Sequence, residues 1–85
     1  MTWHLRIARP AEKEPKRSPE KDQGYIKAAL AEMQANPFSG DIVRLKSQAA
    51  TFRRRVGNYR IFFDVHPDIR LVDVVAIKRR TSTTY

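Results

Sequence analysis

Apolar and polar residues alternate over Trp3, His4, Leu5, Arg6 and Ile7, a period of two that predicts a first strand, ended by Arg9-Pro10. Ala11 to Arg17 is made of helix-forming residues, but Pro15 lacks an N–H and collides with the preceding turn, at a cost of about 3 kcal/mol in a helix interior. A first helix is therefore expected to be short, kinked or absent. Ser18-Pro19-Glu20 then supplies an N-cap, a proline at the first helical position and an acid in the first turn. Ile26, Ala29, Leu30 and Met33 follow at i, i+3, i+4 and i+7, which predicts a second helix with one apolar stripe turned to the core. Gly24 weakens it by about 1 kcal/mol relative to alanine. It should stop near Asn36, because Pro37 restricts the residue before it.

Past the loop at Phe38-Ser39-Gly40, the stretch Asp41 to Lys46 is a weak strand candidate, and the pattern then changes to strands with clear punctuation. Gly57-Asn58 between two β-like runs predicts a two-residue hairpin, which sets Val56 opposite Tyr59 and Arg55 opposite Arg60. Alternation along the strands then assigns the faces. Thr51, Arg53, Arg55, Arg60 and Phe62 share one, and Phe52, Arg54, Val56, Tyr59, Ile61 and Phe63 share the other, the apolar side that should pack on the helix. His66-Pro67-Asp68 makes the next turn, with His66 read as a turn residue and His4 as the polar side of the first strand. Leu71 to Ile77, almost continuously apolar, is expected to be a central strand buried on both faces for much of its length. There are no internal repeats, no low-complexity tract and no linker. These elements make one α+β domain over residues 1–85: an N-terminal strand, a helical hairpin, then antiparallel strands in one twisted sheet.

Composition narrows the chemistry. Eighty-five residues support one modest core. With no cysteine and only two histidines, His4 and His66, neither disulfides nor a metal site is expected, and no cofactor is implied. No apolar run approaches the ~20 residues needed to span a bilayer, and the N-terminus lacks the apolar core of a signal peptide, so a cytoplasmic, membrane-free protein is expected. The net charge of +8 is unevenly distributed. Residues 1–40 carry seven bases and five acids, residues 41–85 ten bases and four acids. Eight of those ten bases are arginines, whose planar fork grips phosphate bidentately where lysine offers a point charge.

Arg55 opposite Arg60, with Arg53 two residues along, is a like-charge arrangement that costs stability unless an anion fills it. Beyond the last strand Lys78, Arg79 and Arg80 add three more positive charges, and Tyr85 ends the chain. Arginines for phosphates with an aromatic ring for a base is the usual economy of single-stranded RNA recognition, against the plainer reading of a solvated basic surface and a frayed tail.

Three segments resemble the RelE/ParE superfamily of type II toxin–antitoxin toxins: Asn36-Pro37 closing the helix, the hairpin from Phe52 through Arg53-Arg54-Arg55-Val56-Gly57-Asn58-Tyr59-Arg60 to Phe63, and Val74-Val75-Ala76-Ile77 leading into Lys78-Arg79-Arg80. The hairpin, similar to the family's R-V-G-D-Y-R signature, is the most specific. The resemblance covers nearly the whole chain and implies the RelE-like fold. Its RelE-like branch implies a metal-independent, ribosome-dependent mRNA endoribonuclease in which a ribose 2′-OH attacks the adjacent phosphate. On that resemblance Arg53, Arg55, Arg60, Arg79 and Tyr85 carry catalysis, and the same residues with Lys78 and Arg80 bind RNA. Arg60 with Arg53 or Arg55 would stabilise the phosphorane, Arg79 the departing oxygen, and Tyr85 would stack on a base. RelE has lysines at the positions of Arg53 and Arg55, and arginine is a very poor base, so the proton acceptor is unassigned.

The superfamily also implies an acidic, partly disordered antitoxin that folds on binding. Two other functions stay open: a ParE-like inhibitor of DNA gyrase, which shares the fold without needing the arginine and tyrosine set, and a non-catalytic basic nucleic-acid-binding module.

Overall fold

The computed structural model describes residues 2–46 and 50–79. Along the chain these form β1 (His4–Ile7), α1 (Arg9–Arg17), α2 (Glu20–Ala35), β2 (Ile42–Arg44), β3 (Phe52–Val56), β4 (Tyr59–His66) and β5 (Leu71–Arg79), with one 3-10 turn at Pro67–Ile69 before β5. The five strands make one sheet in the order β1-β5-β4-β3-β2. The expected α+β class and the antiparallel run β2 to β5 are present. β1 adds a parallel edge, with His4 opposite Leu71 and Ile7 opposite Val74. Among the described residues no helix is long and apolar enough to cross a membrane.

Both helices cover one side of the sheet. Ile26, Ala29 and Met33 of α2 are buried against Ile61, Phe63, Val72, Val74 and Ile77, with Ala11 of α1 completing the core. Burial of this set is the main favourable contribution to the fold. The predicted stripe on α2 is thus the packed face, and the helix stops at Ala35 with Asn36 as C-cap. The Asn36 side chain accepts from the Phe38 N–H at 3.0 Å, which turns the chain toward β2.

One expectation at the helical hairpin needs correcting. Ser18 does not cap α2: its N–H donates to the Pro15 carbonyl and closes α1, while Pro19 occupies the N-cap position without a side-chain bond. Arg9-Pro10 follows the end of the strand, as expected, and also opens α1, where a proline without N–H loses nothing in the first turn. α1 is short, nine residues, and continuous through Pro15. The bond missing there falls in the final turn, where the helix is about to end.

β5 is also not buried on both faces. Val72, Val74 and Ile77 are buried while Leu71, Asp73, Val75 and Ala76 are only half-buried. The pairing explains the apolar run: Phe62 faces Ala76 but Phe63 faces Val74, so Val75 is an extra residue bulging from β5. The bulge shifts the alternation by one residue, which allows an even-numbered pair and an odd-numbered residue to reach the same core.

Candidate nucleic-acid interface

The hairpin register is the predicted one. Gly57 has a positive φ of 55°, Val56 lies opposite Tyr59, and Arg55 opposite Arg60. The Arg55 N–H donates outward to the Asp41 carbonyl at 2.9 Å, so Arg55 and Arg60 form the non-hydrogen-bonded kind of pair. In such a pair the Cα atoms are about 4.5 Å apart and the side chains closest.

Across the sheet the open face is laid out in rows. Arg55, Arg60 and Lys78 occupy one row, on β3, β4 and β5. The next row holds Val43, Arg53, Phe62 and Ala76. Lys78 Nζ lies over the Phe62 ring, 5.5 Å from its centroid, a cation–π contact. Among the described residues no carboxylate pairs with Arg53, Arg55, Arg60 or Lys78; the ion pairs are Arg6–Asp73, Lys16–Glu12 and Arg54–Glu32. Asp64 and Asp73 stand further from the turn, where Asp64 accepts from both the N–H and the hydroxyl of Thr51 at 2.7 Å and Asp73 lies near Arg6, while Asp41 lies beside Arg55, whose N–H its carbonyl accepts, without an ion pair to the row. Over β3, β4 and β5 the open face is therefore polarised, with cations that make no ion pair beside the hairpin turn and carboxylates at the other end.

Of the residues expected to act together, the sheet brings Arg53, Arg55, Arg60 and Lys78 onto one face. It does not add Arg79, which lies opposite the buried Tyr59 and so belongs to the helix side of the sheet. The bulge is the cause, since it sets which of Lys78 and Arg79 falls on the open face. Arg80 and Tyr85 lie outside the described residues. Among the described residues no group of three His, Cys, Asp or Glu side chains could hold a metal.

The middle arginine of β3 has a different role, which its face assignment alone did not reveal. Arg54 is 7% exposed on the core side. Its guanidinium donates to the Ala29 carbonyl at 3.2 Å and to the Glu32 carboxylate, linking β3 to α2. Gly40 lies against it with a φ of +84°, and a Cβ there would sit 2.8 Å from the guanidinium carbon. Glycine at 40 thus serves both an unusual backbone conformation and a close approach. Tyr59 adds a second tie to α2, its hydroxyl donating to Asp22 at 3.3 Å.

Comparison with solved structures shows the fold to be that of RelE proteins. RelE of an archaeal RelE–RelB complex from Pyrococcus horikoshii OT3 superposes with a TM-score of 0.82 at 18% identity, over 98% of this chain and 100% of that one. Isolated E. coli RelE gives 0.77 at 17% identity, over 95% and 87%. A chain of the RelB–RelE complex from Methanococcus jannaschii gives 0.69 at 26% identity, over 87% and 88%. No curated protein sequence matches. Residues 5–83 match the model of the ParE toxin family of type II toxin–antitoxin systems, parDE. The chain belongs to that family, within the RelE/ParE superfamily, and is the toxin of a type II toxin–antitoxin system.

Proposed function

We propose that this toxin cleaves mRNA on the ribosome, in the cytoplasm, and so stops translation. The observation that carries the reading is the row Arg55–Arg60–Lys78, with Arg53 beside it, held by the sheet without a countercharge. Such an arrangement is destabilising on its own and becomes favourable when phosphates enter it. In the reaction the ribose 2′-hydroxyl gives up its proton to water as its oxygen forms a bond to the adjacent phosphorus, the bond to the 5′-oxygen breaks, and the products are a 2′,3′-cyclic phosphate and a 5′-hydroxyl. Arg60 with Arg53 or Arg55 stabilises the negative charge that accumulates on the phosphorane. Lys78, across from Arg60, supplies a proton to the departing 5′-oxygen. Arg79 and Arg80 hold flanking phosphates, and Tyr85 stacks on a base. Much of the rate comes from holding the phosphate in line for attack, which requires no efficient general base.

A cognate antitoxin neutralises it. Solved relatives were captured as RelE–RelB complexes, and an acidic segment that folds on binding suits the uncompensated cations of this chain.

The test is expression of the wild type and of Arg60→Ala in bacteria, with mapping of mRNA 5′ ends on translated transcripts. New ends within codons for the wild type only are expected. Arrest of growth without such ends, with cleaved supercoiled DNA trapped instead, would support inhibition of DNA gyrase, a reading favoured by the match to the ParE model. Salt-sensitive binding with neither product would leave a non-catalytic binding module.

A further inference from the structure

The aromatic side chains of the β3–β4 hairpin divide between the two faces of the sheet. Phe52, Tyr59 and Phe63 lie on the helix side, where Phe52 stacks on Phe63 with ring centroids 5.6 Å apart and meets Phe38 edge-on at 5.5 Å. Phe62 is on the opposite face, half-buried, between Arg53 on β3 and Ala76 on β5. Its ring contact is a cation, Lys78 Nζ, and the short side chain of Ala76 leaves that flank low. Phe62 follows Arg60 by two residues on the same strand face, a spacing of about 7 Å, within the reach of a single nucleotide. The ring thus presents a π face beside the cationic row, and the lysine above it is a flexible side chain that a phosphate would draw aside.

We propose that Phe62 is a base-stacking platform at the centre of the cationic face, taking one unstacked base of a single-stranded RNA whose phosphates are held by Arg53, Arg55 and Arg60. The proposal rests on the RNA reading above and adds to it a residue that recognises the base within the sheet itself. Stacking tolerates any base because each presents a π face, so Phe62 provides affinity for single-stranded nucleic acid over bare phosphate without sequence preference.

The test compares binding of the full chain, at low salt, to a single-stranded oligoadenylate decamer and to a ribose-phosphate decamer lacking bases. The wild type should prefer the decamer with bases by roughly 5- to 150-fold. Phe62→Leu, which keeps an apolar side chain on the sheet, should lose most of that preference while binding the base-free strand as the wild type does. Phe62→Tyr should retain it, and far-UV circular dichroism checks that each variant is folded. Arg60→Ala should weaken binding to both strands alike. Preference kept in a folded Phe62→Leu variant, with both strands weakened in Arg60→Ala, would overturn the stacking role and leave the RNA reading standing. Failure of the wild type to bind either strand, together with no new mRNA ends on expression, would overturn both.

Discussion

Arg54 and its neighbours Arg53 and Arg55 are chemically identical and consecutive, yet the pleat of β3 sends them to opposite sides of the sheet. Arg54 is buried, shared between a helix carbonyl and Glu32, and closed off by Gly40. Arg53 and Arg55 are among the described residues that have no anionic partner, and Arg60 and Lys78 continue their array. The first position uses a cation to join sheet to helix; the others make no ion pair, and in the proposed site an anionic ligand would relieve their repulsion. Charge by itself therefore does not single out the structural arginine, whereas the combination of face and countercharge does.

The contrast can be broken most strongly at the Arg60–Ile61 step. Ile61→Ala should cost about 3–4 kcal/mol in a denaturant melt, because Ile61 is fully buried beside α2. Arg60→Ala should shift the same melt by less than about 0.5 kcal/mol but lower cleavage by roughly 100- to 1,000-fold. Equal unfolding of both would sink the assignment of faces. Arg54→Ala comes next, at about 2–3 kcal/mol; the value lies below that of a fully buried pair because Glu32 is 60% exposed and can return to water. In a thermal melt that corresponds to a Tm lower by roughly 10–20 °C. Gly40→Ala should cost about 1–2 kcal/mol through its positive φ and its contact with Arg54, and a variant lacking Arg54 should show a smaller cost, measurable as a double-mutant cycle. The smallest effect has the opposite sign. Arg55→Thr should raise stability by a few tenths of a kcal/mol by relieving the pair with Arg60, while making RNA binding less salt-sensitive by about 0.7 in the log–log slope.

Much of this contrast could be read from local signals. Gly57-Asn58 defined a two-residue turn, the turn defined the register, and the register divided Arg54 from Arg53, Arg55 and Arg60. The stripe on α2 was legible for the same reason, because 3.6-residue periodicity is local. What could not be read depended on contacts distant in sequence or on breaks in periodicity. Glu32 and Arg54 are 22 positions apart, and no pattern in either segment announces the other. The parallel pairing of β1 with β5 joins residues more than sixty positions apart. The Val75 bulge carries no distinguishing residue, so β5 looked like a doubly buried strand and nothing in its pattern showed that Arg79 falls on the helix side. Ser18 misled because a serine before proline and glutamate suits the start of α2, yet here it terminates α1.

The bulge has a wider consequence. Had β5 continued its pairing from Phe63 and Val74 without interruption, Ile77 would have come opposite Arg60 and Lys78 opposite Tyr59. One extra residue thus works as a phase shifter between two halves of a single strand, the first in step with the helices and the second in step with the arginines. Each half can drift in sequence under its own constraints, and losing the slip would set Ile77 in place of Lys78 opposite Arg60 without altering any arginine.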